Sequence, residues 1–302
     1  MNESAPLVSV IMPVYNGERF FEAALLSALE QDFDDFEIVV LDDGSTDRST
    51  AIGRSYAADH PRRVRYFRQA NGGFCSARNA AIAHARGRYL ALLDADDLWM
   101  RHHLANAVAA LESTAGTALV HADVRFIDEH GAVLADYRDP DRWAKWGHDP
   151  FTAILLRYEH VACTTAVFPR DLALQLGGFD VRYTGLGCED RDMWLRLSLQ
   201  GRVTHLSYHA ADYRVHSGGV SRHSDRMVKA RRLLVDRMLE FPQGRRLRRP
   251  ALSAVALSEA EEADCGPIRQ VGAYARAIWL RPIDPRAWRG VMRALWDVAA
   301  VR

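Results

Sequence analysis

At 302 residues, with 48% of side chains hydrophobic, the chain can bury a sizeable core and is long enough for one large domain or one and a half. Its 39 Lys and Arg balance its 39 Asp and Glu, so whole-chain charge predicts no nucleic acid or other polyanion as partner. Cys75, Cys163, Cys188 and Cys265 form neither a CxxC pair nor a regular spacing, which argues against a zinc knuckle or disulfide framework and fits a reducing cytoplasm.

The opening MNESAPLVSV carries no basic n-region and no long apolar run, and no window reaches the roughly 18 unbroken apolar residues of a bilayer span. Neither export nor a transmembrane segment is expected, and peripheral attachment stays open. From Leu7 apolar runs alternate with helical periods, as a doubly wound α/β sheet requires. "LVSVIMPV" reads as a buried strand, followed by a turn at Asn16-Gly17 and a helix with Phe20, Phe21, Ala24, Leu25, Ala28 and Leu29 on one face. "FEIVVLDDGS" is a second strand ending in acid, after which Ser45 or Thr46 can cap a helix. "VRYFRQ" is a short third strand, and an Ala-rich helix from about Ser76 to Arg86 is closed by Gly87. "RYLALLDADD" is the fourth strand and "TALVHADVRFID" the next.

Polar tips therefore follow the strands at Tyr15-Asn16, Asp42-Asp43 and Asp94 to Asp97. Ligands of open α/β sheets bind in the crevice beyond the carboxyl ends of the strands, so all three tips are expected to meet there. The second half is less regular: a helix from Pro150 to Tyr158, a strand at "CTTAVF", a turn at Gly177-Gly178, a helix from Glu189 to Gln200, and extended structure over "RVTHLSYHAADYRVH". Between Arg222 and Arg249 ten Lys/Arg face three Asp/Glu in a helical pattern interrupted by Pro242 and Gly244. Two more helices are expected after Ala251, separated near Cys265 to Pro267.

Three acids on one strand-end turn repel one another, and such a cluster persists most easily around a cation. Oxygen ligands favour Mg²⁺ or Mn²⁺, and Mg²⁺ in particular combines one or two carboxylates with waters and phosphates. The alternative is a solvated turn in which Asp97 caps a helix beginning near Trp99. Asp42-Asp43 closes the neighbouring strand in the same way; a carboxylate there can accept from a uracil imide or ribose hydroxyls, with Tyr15 as a stacking face, or can simply cap a turn.

Three stretches, "VSVIMPVYNGERFFEAALLSALEQDFDDFEIVVLDDGSTDRS", "NGGFCSARNAAIAHARGRYLALLDADDLW" and "GLGCEDRDMWLRLSLQG", resemble in that order the successive motifs of family 2 glycosyltransferases, over about Val8 to Ser221. The resemblance implies the GT-A fold: a mostly parallel twisted sheet flanked by helices, with a Rossmann-like nucleotide-binding half. It implies a catalytic domain over 1–221, nucleotide-binding over about 7–128 and acceptor-binding over 129–221, and leaves 222–302 as a helical extension. The activity implied is metal-dependent inverting transfer of a sugar from a nucleotide-diphosphate donor, a UDP-sugar, to a glycan or lipid-linked acceptor.

By the same resemblance Pro13, Tyr15 and Asp43 line the nucleoside, with Asp42 beside them, and Arg78 lies near base or phosphate. Asp94, Asp96 and Asp97 match the DxD-type motif, with Asp96 and Asp97 closest to ribose, metal and diphosphate. Asp190 matches the catalytic base, with Glu189 as its neighbour, and "YRVHSGGVS" makes His216 a metal or phosphate ligand and Arg214 a phosphate contact. The chemistry is coherent: inverting transfer needs a base for the acceptor hydroxyl and an electrophile for the leaving diphosphate, and no enzyme nucleophile. The bland reading of Glu189-Asp190 is helix capping. Cys188 is expected to line the acceptor pocket, Gly72-Gly73 is a lid or a turn, and Trp143 and Trp146 either stack on a sugar or pack.

Two rival enzymes lack their signatures at "MPVYNGERFF": a sugar-nucleotide pyrophosphorylase wants a glycine-rich triphosphate loop with Arg and Lys, and a dinucleotide oxidoreductase wants GxGxxG. A nucleotide-sugar sensor without turnover is the non-catalytic alternative. The basic tract, joined by Trp279, Trp288, Leu295 and Trp296, is either a solvated face or an attachment to anionic membrane.

Overall fold

The first strands are apolar runs buried on both faces, and they frame the computed structural model, which describes residues 5–136, 148–156, 161–218, 224–261 and 267–300. Strands β1 (Val8–Val14), β2 (Phe36–Asp42), β3 (Val64–Arg68) and β4 (Tyr89–Leu92) run parallel in the order β3-β2-β1-β4. Helices α1 (Phe21–Leu29), α2 (Ser49–Asp59) and α3 (Phe74–His84) connect them. The period of two is visible in β1: Val8, Val10, Met12 and Val14 enter one core with Phe21 and Leu25, while Ile11 enters the other with Ala77, Ala81 and Ile82 of α3. Each large apolar side chain so buried contributes roughly 2 kcal/mol.

One polar side chain interrupts β2. Glu37 is 1% exposed and accepts from Ser9 Oγ at 2.7 Å and from the Arg86 guanidinium. Burial works to raise its carboxyl, but these bonds outweigh it and hold the group below its ordinary value. Gly87, expected to close α3, lies three residues beyond the helix end; its role is close approach, since an added Cβ would sit 2.4 Å from Ser9 N.

Beyond β4 the sheet becomes mixed. Strand β8 (Val167–Pro169) pairs with β4 and with β6 (Thr117–Ile127), β9 (Arg202–Arg214) runs parallel to β6, and β5 (Leu98–Trp99) closes antiparallel on β9. The short β7 (Val133–Asp136) hangs from β6, making nine strands in the sheet among the described residues.

Several local expectations give way to tertiary partners. No helix begins at Trp99: Leu98 and Trp99 pair with Asp212 and Ala211, and α4 spans His103–Ser113. Within "CTTAVF" residues Cys163–Thr165 form a 3₁₀ turn, because the Thr165 hydroxyl bonds the Ala122 and Ala162 carbonyls, and the strand starts at Val167. Neither Ser45 nor Thr46 caps α2; Asp47 accepts the Ser49 N–H at 2.9 Å instead.

The remaining helices are α5 (Pro150–Leu155), α6 (Arg170–Gln175), α7 (Glu189–Ser198), α8 (Ser224–Met238), α9 (Pro242–Arg246), α10 (Arg248–Ala260), α11 (Pro267–Leu280) and α12 (Pro285–Ala300). The chain after Ala251 thus holds a further break, between Leu280 and Pro285, that the expected two helices omitted. Leu234, Val235 and Met238 of α8 and Val255 of α10 share one core with Phe168 and Trp194. Among the described residues no helix is long and apolar enough to cross a membrane. Trp143, Trp146, Ser221, Arg222 and Cys265 lie outside the described residues.

Candidate active site

The parallel register aligns the polar tips. Val14 faces Asp42 across β1 and β2, and Ile11 faces Leu92 across β1 and β4, so Tyr15, Asp43 and the Asp94 turn emerge along one edge. Tyr15 presents its ring to solvent, 55% exposed, and Pro13 is half-buried at the end of β1 opposite Leu41. Asn16, in the left-handed region at φ 48°, laces this tip to the next one: its N–H donates to Ser45 Oγ at 3.0 Å and its Oδ1 accepts from Thr46 N at 2.8 Å.

The two acids of "DDGS" do different work. Asp42 has both oxygens engaged within the fold, accepting from Ser45 N, the Thr50 hydroxyl and the Tyr66 hydroxyl. Burial acts to raise it, and those bonds prevail and lower it. Asp42, expected beside Asp43 at the nucleoside, anchors turn and strand through these bonds. Asp43 accepts three N–H bonds, from Gln69 Nε2 at 2.7 Å, Gly72 N at 2.9 Å and Gly73 N at 2.8 Å. A carboxylate offers about four acceptor positions, so one remains unused on a side chain that is 2% exposed.

The acidic turn is stapled to the end of β9. Asp97 is 1% exposed and accepts from Arg214 N at 2.8 Å. Burial, reinforced by the charges of Asp96 and Asp94, pushes its carboxyl well above the usual range. Arg214, expected on phosphate, donates from Nε to the Asp96 carbonyl at 2.9 Å and from a terminal nitrogen to the Asp128 carbonyl at 3.2 Å, with its guanidinium 4.6 Å over the Phe20 ring. These contacts make it a strut of the turn. Asp96 is the acid that faces outward: its side chain is 38% exposed, and its Oδ2 lies 2.9 Å from His216 Nε2.

Arg78 joins this turn to α7. Its terminal nitrogens donate to Asp94 at 2.7 Å and to Glu189 at 2.5 Å, 111 residues away in the chain. Arg78, expected near the nucleotide, thus bridges two carboxylates from a buried position. Asn79 makes the same crossing through its side chain, accepting from Phe179 N at 2.7 Å and donating to Phe179 O at 2.8 Å. Burial lifts Glu189 to about 7 against the pull of Arg78, with Asp190 adding to the rise. Asp190 is also raised by burial, opposed by Arg191, and its carboxylate accepts from Arg191 N with no side-chain hydrogen bond among the described residues. Of the two acids, Glu189 is tied to the Arg78 guanidinium and Asp190 is held only by a backbone N–H.

Some parts of the site left no local signal. Phe20 reads as a helix-face residue yet packs under both Arg214 and His216, the latter at 5.1 Å between rings. Cys188, expected at the acceptor pocket, is buried in the left-handed region at φ 66° and turns the chain into α7. Arg237 of α8 ion-pairs with Asp180 and Asp192, each at 2.7 Å, clamping the segment on either side of Glu189-Asp190. An open groove lined by Asn106, Ser113, Thr204 and Tyr208 lies at the other end of β9, away from these acids.

A family model described as glycosyl transferase family 2 matches residues 9–174. An uncharacterised glycosyltransferase of Rickettsia typhi is 32% identical over 198 residues, 65% of this chain and 59% of that protein. Chondroitin synthase of Escherichia coli is 29% identical over 202 residues, 67% of this chain and 28% of the synthase. The match thus spans about three fifths of the first relative and under a third of the second. Residues 1–349 of S. aureus TarS, solved in complex with UDP-GlcNAc, superpose with a TM-score of 0.67 at 19% identity, over 94% of this chain and 84% of that one. The mannosyltransferase PcManGT from Pyrobaculum calidifontis, solved with GDP-Man and Mn²⁺, gives 0.64 at 22% identity, over 98% and 87%. Motif order, the sheet topology and the matched domain agree: the chain belongs to glycosyl transferase family 2 and has the GT-A fold.

Proposed function

We propose that this glycosyltransferase moves a sugar, with inversion, from a UDP-sugar to a hydroxyl of a glycan or lipid-linked acceptor, in cell-surface polysaccharide assembly at the cytoplasmic side of a membrane. The observation that carries the reading is the Arg78 bridge, which sets the acidic turn and the N-terminus of α7 one guanidinium apart. Donor and acceptor groups then share one crevice. Within it Asp190 takes the proton of the acceptor hydroxyl, the acceptor oxygen bonds to the anomeric carbon, and the bond from that carbon to the diphosphate oxygen breaks. Glu189 holds Arg78, and through it Asp94.

Asp43 and Tyr15, with Pro13 behind them, are the nucleoside contacts of this proposal: one free acceptor position for an imide N–H and one exposed ring for stacking. Asp96 and His216 are the side chains suited to Mn²⁺ or Mg²⁺. Among the described residues no group of three or more His, Cys, Asp or Glu could by itself hold a metal ion, so these two side chains would need water or diphosphate oxygens as further ligands. A bound ion there would supply Lewis-acid charge for the leaving diphosphate. Residues 1–221 are proposed as the catalytic domain, nucleotide-binding to about 128 and acceptor-binding beyond, with 222–302 as the helical extension.

Calorimetric titration of UDP, GDP and dTDP, with Mn²⁺ or Mg²⁺ and then with chelator, tests the donor side. Selective UDP binding that needs the metal and weakens in Asp96→Ala is the expected result. Tight binding of all three nucleotides with chelator present would overturn both the base assignment and the metal site. UDP binding without consumption of any UDP-sugar, in the presence of acceptor glycans, would favour a sensor.

A further inference from the structure

The last helix is inside out for a soluble protein. Its buried positions are small: Ala287 and Ala294 are 0% and 1% exposed, and Gly290 lies so close to α11 that an added Cβ would meet the Tyr274 ring at 2.1 Å. Its large apolar side chains point the other way, with Trp288 51%, Met292 66%, Leu295 48% and Trp296 76% exposed. At 100° per residue these four fill one arc of about 100°, opposite the alanines. Ordinary amphipathic packing would bury the tryptophans and expose the alanines.

The stripe extends past the helix. Trp288 Nε1 donates to the Pro282 carbonyl, holding its ring beside the turn that carries Ile283, itself 83% exposed. Trp279, 72% exposed at the end of α11, lies against Arg249, whose guanidinium is 5.6 Å from the ring centroid. Half of the large apolar side chains exposed among the described residues thus fall between Trp279 and Trp296.

Charge identifies the occupant. Exposed Arg289 and Arg293 occupy the arc beside the apolar one, and Arg249 brings in the exposed basic run Arg245 to Arg249. From Arg281 to Arg302 five arginines face two aspartates. Tryptophans flanked by arginine on a helix lying along a surface match the interface of an anionic bilayer, where rings sit at headgroup depth and guanidinium groups meet lipid phosphate.

We propose that the outer face of α12, with the α11–α12 turn, docks the protein on an anionic lipid bilayer. The helix lies in the interface and does not cross it. This docking is independent of the donor-site reading, because vesicle binding requires neither nucleotide nor acceptor, so either can fail alone.

Flotation of the full chain with vesicles of phosphatidylcholine, alone or mixed with phosphatidylglycerol, is the test. The wild type should float with the mixed vesicles, release as salt rises, and remain unbound with phosphatidylcholine alone. Trp288→Ser with Trp296→Ser should weaken binding by roughly a hundredfold, about tenfold for each ring, while thermal melting stays unchanged because both rings are outside the core. The proposal is overturned if the wild type floats with neither vesicle, or if the double variant floats as well as the wild type. It is equally overturned if sedimentation velocity without lipid shows self-association that the double variant abolishes, which would make the stripe an interface between copies of this chain.

Discussion

Replacing Arg78 by Met removes the guanidinium between Asp94 and Glu189 but keeps an unbranched stem. Arg78 is 5% exposed and donates to both carboxylates, and breaking a buried ion pair leaves an uncompensated charge at a cost of about 3–5 kcal/mol. Asp94, with a quarter of its side chain exposed, recovers part of that from water. Glu189 can recover part by taking a proton, and this makes the penalty depend on pH. Its folded value, about 7, already lies above its ordinary 4.5, so ionising it destabilises the fold progressively between those values as pH rises. Without Arg78 the folded value climbs further, and the loss extends above pH 7 at up to about 1.4 kcal/mol per pH unit. Urea unfolding followed by far-UV circular dichroism should show a penalty of about 2–3 kcal/mol at pH 6 and about 1 kcal/mol more at pH 8. A penalty under about 1 kcal/mol at both values, or a larger one at pH 6, would refute the buried bridge.

Asp190→Asn should lower sugar transfer by about 10²–10⁴-fold with donor affinity intact; near-normal transfer by the folded variant removes Asp190 as base. In the wild type kcat/KM should fall as pH drops through the raised Asp190 value, since the base works only deprotonated, and a flat acid limb would contradict that role. Asp43→Ala orphans the Gly72 and Gly73 N–H groups as well as Gln69. It should cost about 2 kcal/mol of stability and weaken UDP binding even with chelator, and an unaltered affinity would undo the nucleoside assignment. In Gly87→Ala the new Cβ meets backbone, 2.4 Å from Ser9 N and 2.6 Å from Val8 C, so a loss above about 2 kcal/mol is expected on thermal melting. An unchanged melting temperature would show that the contact relaxes.

What the amino-acid sequence determined alone is local. The runs "VSVIMPV" and "FEIVVLD", buried almost throughout, announce parallel strands because hydrophobicity on both faces needs no knowledge of the partner. The acids of "LDADD" and "CED" are legible as strand-end and helix-start groups for the same reason, and their order along the chain carries the family. Tertiary structure decided which acid does what. Asp42 and Asp43 are neighbours of one type, yet one is consumed by Thr50 and Tyr66 and the other by the Gly72-Gly73 loop. Asp96 and Asp97 part in the same way, one outward to His216 and one buried against Arg214 N–H. Arg78 and Arg214 matched positions expected on the nucleotide, and the fold ties them to Glu189, Asp94 and backbone carbonyls that no local pattern announced. Spacing and periodicity report only neighbours a few residues away, whereas the partners that set a side chain's charge come from segments 8 to 120 residues distant.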